Sequence, residues 1–378
     1  MSDSTSAVIE PGALESLVAA LRDRGYRVVG PQVRDRAIVY DDLAGADDLP
    51  IGWGDAQGPG SYRLRRRADE ARFGFAASPQ SWKQFLFPPR VRLWSARRDG
   101  NEIAFEDEEP PSRPLALVGV RGCDLRAIQV QDRVFLDGPH VDADYAARRR
   151  GLFVVAVNCT EPAATCFCTS SGSGPEAWSG ADLVLTELFE PEHELLVEAR
   201  TQEGEDVLAE LPRRSARFGE RAAARKALRD AAERIERRVD LEGLPEVLAA
   251  RVESPRWQSI AERCLACGNC TLVCPTCFCS AGEDTTDLAG GAAERSRRWA
   301  SCFGLDHSYI HGGSVRASGA ARYRQWLTHK FGTWEEQFGV QGCVGCGRCI
   351  AWCPVGIDVT EELDLLRREE EEVVHADA

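Results

Sequence analysis

Apolar positions in the N-terminal part of the chain recur with two different periods. Across residues 11–24, Leu14, Leu17, Val18 and Leu21 return at three- and four-residue steps, which predicts an amphipathic helix. Gly25 follows where a helix-ending glycine belongs. Residues 1–7 are polar and read as a frayed start. Short apolar runs at 26–29 and 37–40 read as strands. Residues 49–62, rich in Gly, Pro, Asp and Trp, read as loop, and 62–67 as an arginine-rich strand. The aromatic stretch from Phe73 through Trp82 to Phe87 reads as core or interface. Two strongly apolar runs, 114–120 and 152–157, bracket a helix at 125–131. Strand, helix, strand at this spacing predicts a βαβ unit with a parallel sheet. The two strands then deliver Cys123 and Cys159 to the edge where open α/β sheets place their ligands. Further on, 217–239 and 241–252 read as helices. A last helix starts near Thr360, its capping candidate, with Leu363, Leu365 and Leu366 for anchorage and an acidic end at 369–372.

Composition narrows the class. The chain has 378 residues and is 43% hydrophobic, enough for packed cores in two or three domains. A net charge of −14 argues against nucleic acid as a partner and suits docking to a basic protein surface. No run approaches the roughly 18 apolar residues of a membrane span. The chain holds 15 cysteines and shows no apolar secretory segment at its start, so a reducing cytoplasmic setting is expected, with thiols used for metal.

The cysteines supply the chemistry. Cys264-x2-Cys267-x2-Cys270-x3-Cys274-Pro275 and Cys343-x2-Cys346-x2-Cys349-x3-Cys353-Pro354 are two copies of the bacterial ferredoxin run. In that run three thiolates wrap one [4Fe–4S] cube and the fourth reaches the other. Cys264, Cys267, Cys270 and Cys353 are therefore assigned to one cluster, and Cys343, Cys346, Cys349 and Cys274 to a second. Gly268, Gly345 and Gly347 let the loops bend tightly enough to aim amides at sulfur. Zinc sites use pairs of Cys-x2-Cys without the third and fourth cysteines of this run, so zinc is the weaker reading. Cys123, Cys159, Cys166 and Cys168 form a candidate third cluster site on loops at one sheet edge. Cys277, Cys279 and Cys302, with His307 or an oxygen donor, can form a fourth, join a mixed site with the N-terminal four, or be buried thiols. Trp352 and Phe278 beside the cysteines should exclude water, and Asp358 should make reduction harder if it lies close. The stretch 321–331 reads as a docking surface or a helix covering the clusters; Tyr323, Trp326 and Leu327 favour the second, and Arg322 and Arg324 fit either.

The expected fold class is α+β. An N-terminal α/β domain with a parallel-sheet unit covers 1–215, and a helical connector covers 216–255. A helical, bacterial-ferredoxin-like dicluster domain at 256–360 carries a long insertion at 280–340. A C-terminal helix and acidic tail complete the chain at 361–378.

The text around these motifs resembles one family. Cys274-Pro-Thr-Cys-Phe-Cys279, Arg298-Trp-Ala-Ser-Cys302, Ala321-Arg-Tyr-Arg-Gln325, Cys343-Val-Gly-Cys-Gly-Arg-Cys349, Ser81-Trp-Lys-Gln-Phe-Leu-Phe-Pro-Pro89 and Gly119-Val-Arg-Gly-Cys-Asp124 are similar to the β subunit of cytoplasmic sulfhydrogenases, the NAD(P)-linked [NiFe] hydrogenases. The A subunit of anaerobic sulfite reductase shares the pattern. The resemblance covers about residues 24 to 357. It implies a non-catalytic subunit of an oxidoreductase complex, relaying single electrons between an FAD/NAD(P)-binding iron–sulfur subunit and the small subunit of a soluble [NiFe] hydrogenase, whose large subunit carries the nickel. The alternative is the equivalent subunit of a sulfite reductase. A free ferredoxin-like carrier would need far less chain. No Gly-x-Gly-x-x-Gly opens a helix after a strand, so no dinucleotide site is expected.

Overall fold

A computed structural model describes residues 6–107 and 113–376, with side chains as far as Glu369. Its centre is an eight-stranded sheet. In spatial order the strands are Arg214–Ser215, Ser6–Ile9, Glu194–Ala199, Leu183–Leu188, Phe153–Val157, Leu115–Val120, Arg27–Arg34 and Ala37–Asp42. The four from Leu183–Leu188 to Arg27–Arg34 run parallel, with Val28 opposite Ala116, Leu117 opposite Val154 and Ala156 opposite Val184. The outer strands are antiparallel. Both faces of the parallel strands are buried, which is why they read as continuous apolar runs. Ala116, Val118 and Val155 join Leu14, Leu17 and Leu21 on one face. Leu115, Leu117 and Val154 join Leu125, Ile128, Trp82 and Phe87 on the other. Gly119, at φ 91°, sits where the register shifts at the end of its strand.

A third core, built from Trp257, Ile260, Phe303, Tyr323, Trp326, Leu363 and Leu366, surrounds the two ferredoxin-type loops. A second sheet links this part to the first. The hairpin Ser280–Thr286 and Ala292–Trp299, inside the expected insertion, pairs along Arg90–Asp99, which in turn pairs with Glu102–Asp107. Among the described residues no helix is long and apolar enough to cross a membrane.

Several local expectations are corrected. Ser6 and Ala7 are not frayed but begin the strand Ser6–Ile9, held against Glu194–Ala199; residues 1–5 lie outside those described. The stretch read as loop contains the strand Trp53–Gly58, paired with Ser61–Arg66. The last helix is capped not by Thr360 but by Asp358, whose carboxylate accepts from the Thr360 amide at 3.0 Å. Leu363 and Leu366 anchor that helix, whereas Leu365 faces outward.

Candidate metal centres

The two ferredoxin-type loops have the same backbone course. Each turns into a short helix, Asn269–Leu272 or Arg348–Ala351, through a left-handed glycine: Gly268 at φ 73° and Gly347 at φ 72°. Two positions earlier the chain is again left-handed, at Ala266 (φ 51°) and Gly345 (φ 59°). These bends turn amides toward sulfur. The Ala266 N–H donates to Cys264 Sγ and the Gly345 N–H to Cys343 Sγ, each at 3.4 Å, and the Ile357 N–H donates to Cys353 Sγ at 3.3 Å. Such bonds favour the thiolate, the form that binds iron.

The fourth cysteine of each loop crosses to the other. Cys264, Cys267, Cys270 and Cys353, with Cys349 of the second loop, line one small pocket of about 30 Å³ beside Phe303, Tyr323 and Trp326. Cys274 instead is an electrostatic neighbour of Cys343, Cys346 and Cys349. Among the described residues no three thiols, imidazoles or carboxylates converge as ligands of a single ion do. The first set rings a space instead, as a multinuclear group requires. Tyr323 Oη and Trp326 Nε1 are buried without hydrogen-bond partners, and both residues line that cavity. Two orphaned donors beside four thiols fit a group rich in sulfur acceptors. The stretch 321–331 covers this cavity, as its pattern implies. Arg322 donates to the Phe303 carbonyl at 2.8 Å, and Arg324 to the Val252 carbonyl.

The other four N-terminal cysteines also gather. Cys123 opens the helix Gly122–Phe135 directly after the strand Leu115–Val120, and Cys159 follows Phe153–Val157, its amide donating to the Pro175 carbonyl at 3.0 Å. Cys166 and Cys168 lie buried in the loop that follows this strand. Cys168 neighbours Cys159, and Cys123 neighbours Cys168. All but Cys159 also feel Cys346 of the second ferredoxin-type loop. The two loops are stitched together: the Phe167 N–H donates to the Gly345 carbonyl at 2.8 Å, and Ser173 Oγ donates to the Val344 carbonyl at 2.5 Å. Burial pushes the Cys168 thiol up to about 12 and raises Cys123 and Cys166 well above the ordinary range. Metal binding here must therefore displace protons.

Cys277, Cys279 and Cys302 lie beside the first two sets. Cys277 donates to Cys274 and thereby holds it below the usual thiol range. Cys302 donates to Cys279, which falls to about 6, with His307 adding to the effect. Phe278 packs against Phe135, Trp334 and Phe338, and Trp352 against Tyr62. His329 stacks near Trp334 and bonds to Gln337.

Three features escaped the sequence. Lys83 and Lys330 are buried among these sulfurs. Burial alone would lower Lys330, but Cys274, Cys277 and Cys343 outweigh it and raise it. Arg348, inside the second loop, is fully buried and pairs with Asp124 at 3.0 Å. Asp358, expected to make reduction harder, is instead neutralised by Arg237 at 2.8 Å.

Comparison with known proteins decides the family. Residues 263–357 match a family model described as a 4Fe-4S dicluster domain. Over 297 residues the chain is 34% identical to sulfhydrogenase 2 subunit beta of Pyrococcus furiosus, covering 75% of this chain and 82% of that protein. The chain belongs to the sulfhydrogenase beta subunit family. As a sulfhydrogenase beta-type chain it is an iron–sulfur protein of electron transport. The matched domain spans both ferredoxin-type loops and the intervening Cys277, Cys279 and Cys302; the Cys123 set lies outside it. A chain of the F420-reducing [NiFe] hydrogenase complex from Methanosarcina barkeri covers 61% of this chain and 90% of its own, at a TM-score of 0.28 and 10% identity, too distant to inform the fold.

Proposed function

We propose that this chain relays single electrons between an FAD/NAD(P)-binding iron–sulfur subunit and the small subunit of a [NiFe] hydrogenase. A [4Fe–4S] cluster supplies one-electron redox chemistry when bound. In this reading Cys264, Cys267, Cys270 and Cys353 hold the first cluster. Cys343, Cys346, Cys349 and Cys274 hold the second, and Cys123, Cys159, Cys166 and Cys168 the third. The chain's own residues do the rest. Amides of Ala266, Gly345 and Ile357 stabilise negative charge on sulfur, while Tyr323, Trp326 and Phe303 cover one side of the first site.

One observation carries the reading: Cys346 stands between two thiol sets. It belongs to the second loop, yet it neighbours Cys123, Cys166 and Cys168, and Cys270 of the first set neighbours Cys274. Three neighbouring sets suit a line for stepwise transfer, with the second in the middle. Identity to a hydrogenase beta subunit supports hydrogenase partners over those of a sulfite reductase. Replacing Cys267 or Cys346 by Ser should abolish electron flow between NAD(P)H and the nickel subunit, and full physiological turnover in either variant contradicts the relay. Cys166→Ser should remove about four irons; unchanged iron removes the third site from the line.

A further inference from the structure

Cys123 and Cys159 lie beyond the carboxyl ends of the central parallel strands, where open α/β sheets usually place their ligands. The amino ends of the same strands border a separate cleft of about 780 Å³. Arg27 opens the strand Arg27–Arg34 and stands opposite Leu115, which opens Leu115–Val120. Arg150 follows the helix Ala143–Arg149 and leads into Phe153–Val157. The volume falls within the roughly 300–1,000 Å³ of small-ligand sites.

The charge around this cleft runs against that of the chain. Arg27, Arg113, Arg148 and Arg150 line it, with one carboxylate, Asp41, which is paired with Arg34. Arg27 Nε donates to Asp42 at 2.6 Å, and Arg148 Nε to Asp144 at 3.0 Å. Arg113 Nη2 donates to the Tyr26 carbonyl at 3.1 Å. Among the described residues the terminal nitrogens of Arg27 and Arg148, and the whole guanidinium of Arg150, have no partner. Arg34 included, five guanidiniums meet three carboxylates, Asp41, Asp42 and Asp144, an excess of two positive charges in a chain of net charge −14. The end of the helix Ala143–Arg149 offsets only about half a charge of this. Guanidinium forks with free terminal nitrogens match phosphate oxygens in pairs.

The rest of the lining is apolar and stiff. It includes Phe85, Pro88, Pro89 and Pro114. The Phe85 ring packs against Trp82 at 6.1 Å and lies 5.8 Å from the Arg27 guanidinium. A ring face beside free forks combines a stacking surface for a planar base with donors for a charged chain. We propose that this cleft binds a nucleoside polyphosphate, its base against Phe85 and its phosphates on Arg27, Arg148 and Arg150. The site does not depend on the relay reading, since none of these residues belongs to a thiol set.

The test is calorimetric titration of the full chain, isolated anaerobically, with ATP and with inorganic pyrophosphate, repeated on the assembled complex. ATP should bind at one site per chain and more weakly as salt rises, and pyrophosphate should compete with it. Arg148→Met and Arg150→Gln should each weaken both probes about tenfold or more. Phe85→Leu should weaken ATP and leave pyrophosphate unchanged. Arg150 is exposed, so Arg150→Gln stays readable even if Arg148→Met fails to fold. Absence of saturable ATP binding, or an ATP affinity unchanged in Arg150→Gln, overturns the proposal. ATP binding no tighter than pyrophosphate and unmoved by Phe85→Leu overturns the nucleoside assignment. Binding to the free chain but not to the complex also overturns it, because the cleft is then a subunit interface.

Discussion

Around the first ferredoxin-type loop, Cys267 faces solvent and Leu265 is 63% exposed; at the matching positions of the second, Cys346 is buried and Val344 is 2% exposed. The backbones match turn for turn, so the difference lies in the surroundings. Ala266 holds a left-handed φ of 51° with a methyl group in place. A Cβ on Gly345 would stand 2.5 Å from the Phe167 carbonyl oxygen, because the Cys166–Cys168 loop lies directly on it. Asn269 bonds to the Trp352 carbonyl, whereas Arg348 at the same position spans to Asp124 and to the Ser78 carbonyl at 2.8 Å. One loop lies at the surface and the other is enclosed by the rest of its own chain.

The largest expected effect breaks the inner loop. Cys346→Ser should abolish NAD(P)H-linked turnover while dye-linked hydrogen oxidation by the nickel subunit persists, as read in parallel assays of the complex. Arg348→Met comes next. It strands Asp124 as a buried unpaired charge, at a cost of about 3–5 kcal/mol. Asn269→Ala, the same position in the outer loop, should cost only about 1 kcal/mol. Thermal unfolding of the full chain compares the two, and equal shifts would erase the distinction between the loops. Gly345→Ala should cost about 1–3 kcal/mol for its left-handed backbone, and more from the clash with Phe167. It should also loosen iron in the Cys123 set first, seen as selective loss of one spectral component. The smallest effect is Ala266→Gly. Relief of left-handed strain and added chain entropy should nearly cancel, leaving the unfolding free energy within about 1 kcal/mol of wild type.

Much of this was legible in residue order. The parallel strands and the helices at 11–24 and 125–131 carried clean apolar periods, and the crossing of Cys274 and Cys353 was implied by the spacing of the runs. What escaped depended on partners. Trp53–Gly58 contains two glycines and an aspartate, poor strand formers, and is a strand only because Ser61–Arg66 lies beside it. The hairpin at 280–299 is mostly polar and half-exposed, so it lacks an apolar alternation, and its partner Arg90–Asp99 is remote in sequence. The approach of Cys302 to Cys279 depends on that hairpin. Lys83 and Lys330 look like ordinary surface lysines in the sequence. Only the folded chain shows them enclosed by sulfur.

The most direct test of the relay is the metal content of the complex isolated anaerobically through a tag on this chain. Nickel in stoichiometric amount alongside iron is the expected result. Iron with sirohaem and no nickel, or iron on this chain alone, would contradict a place between NAD(P)H and a [NiFe] centre.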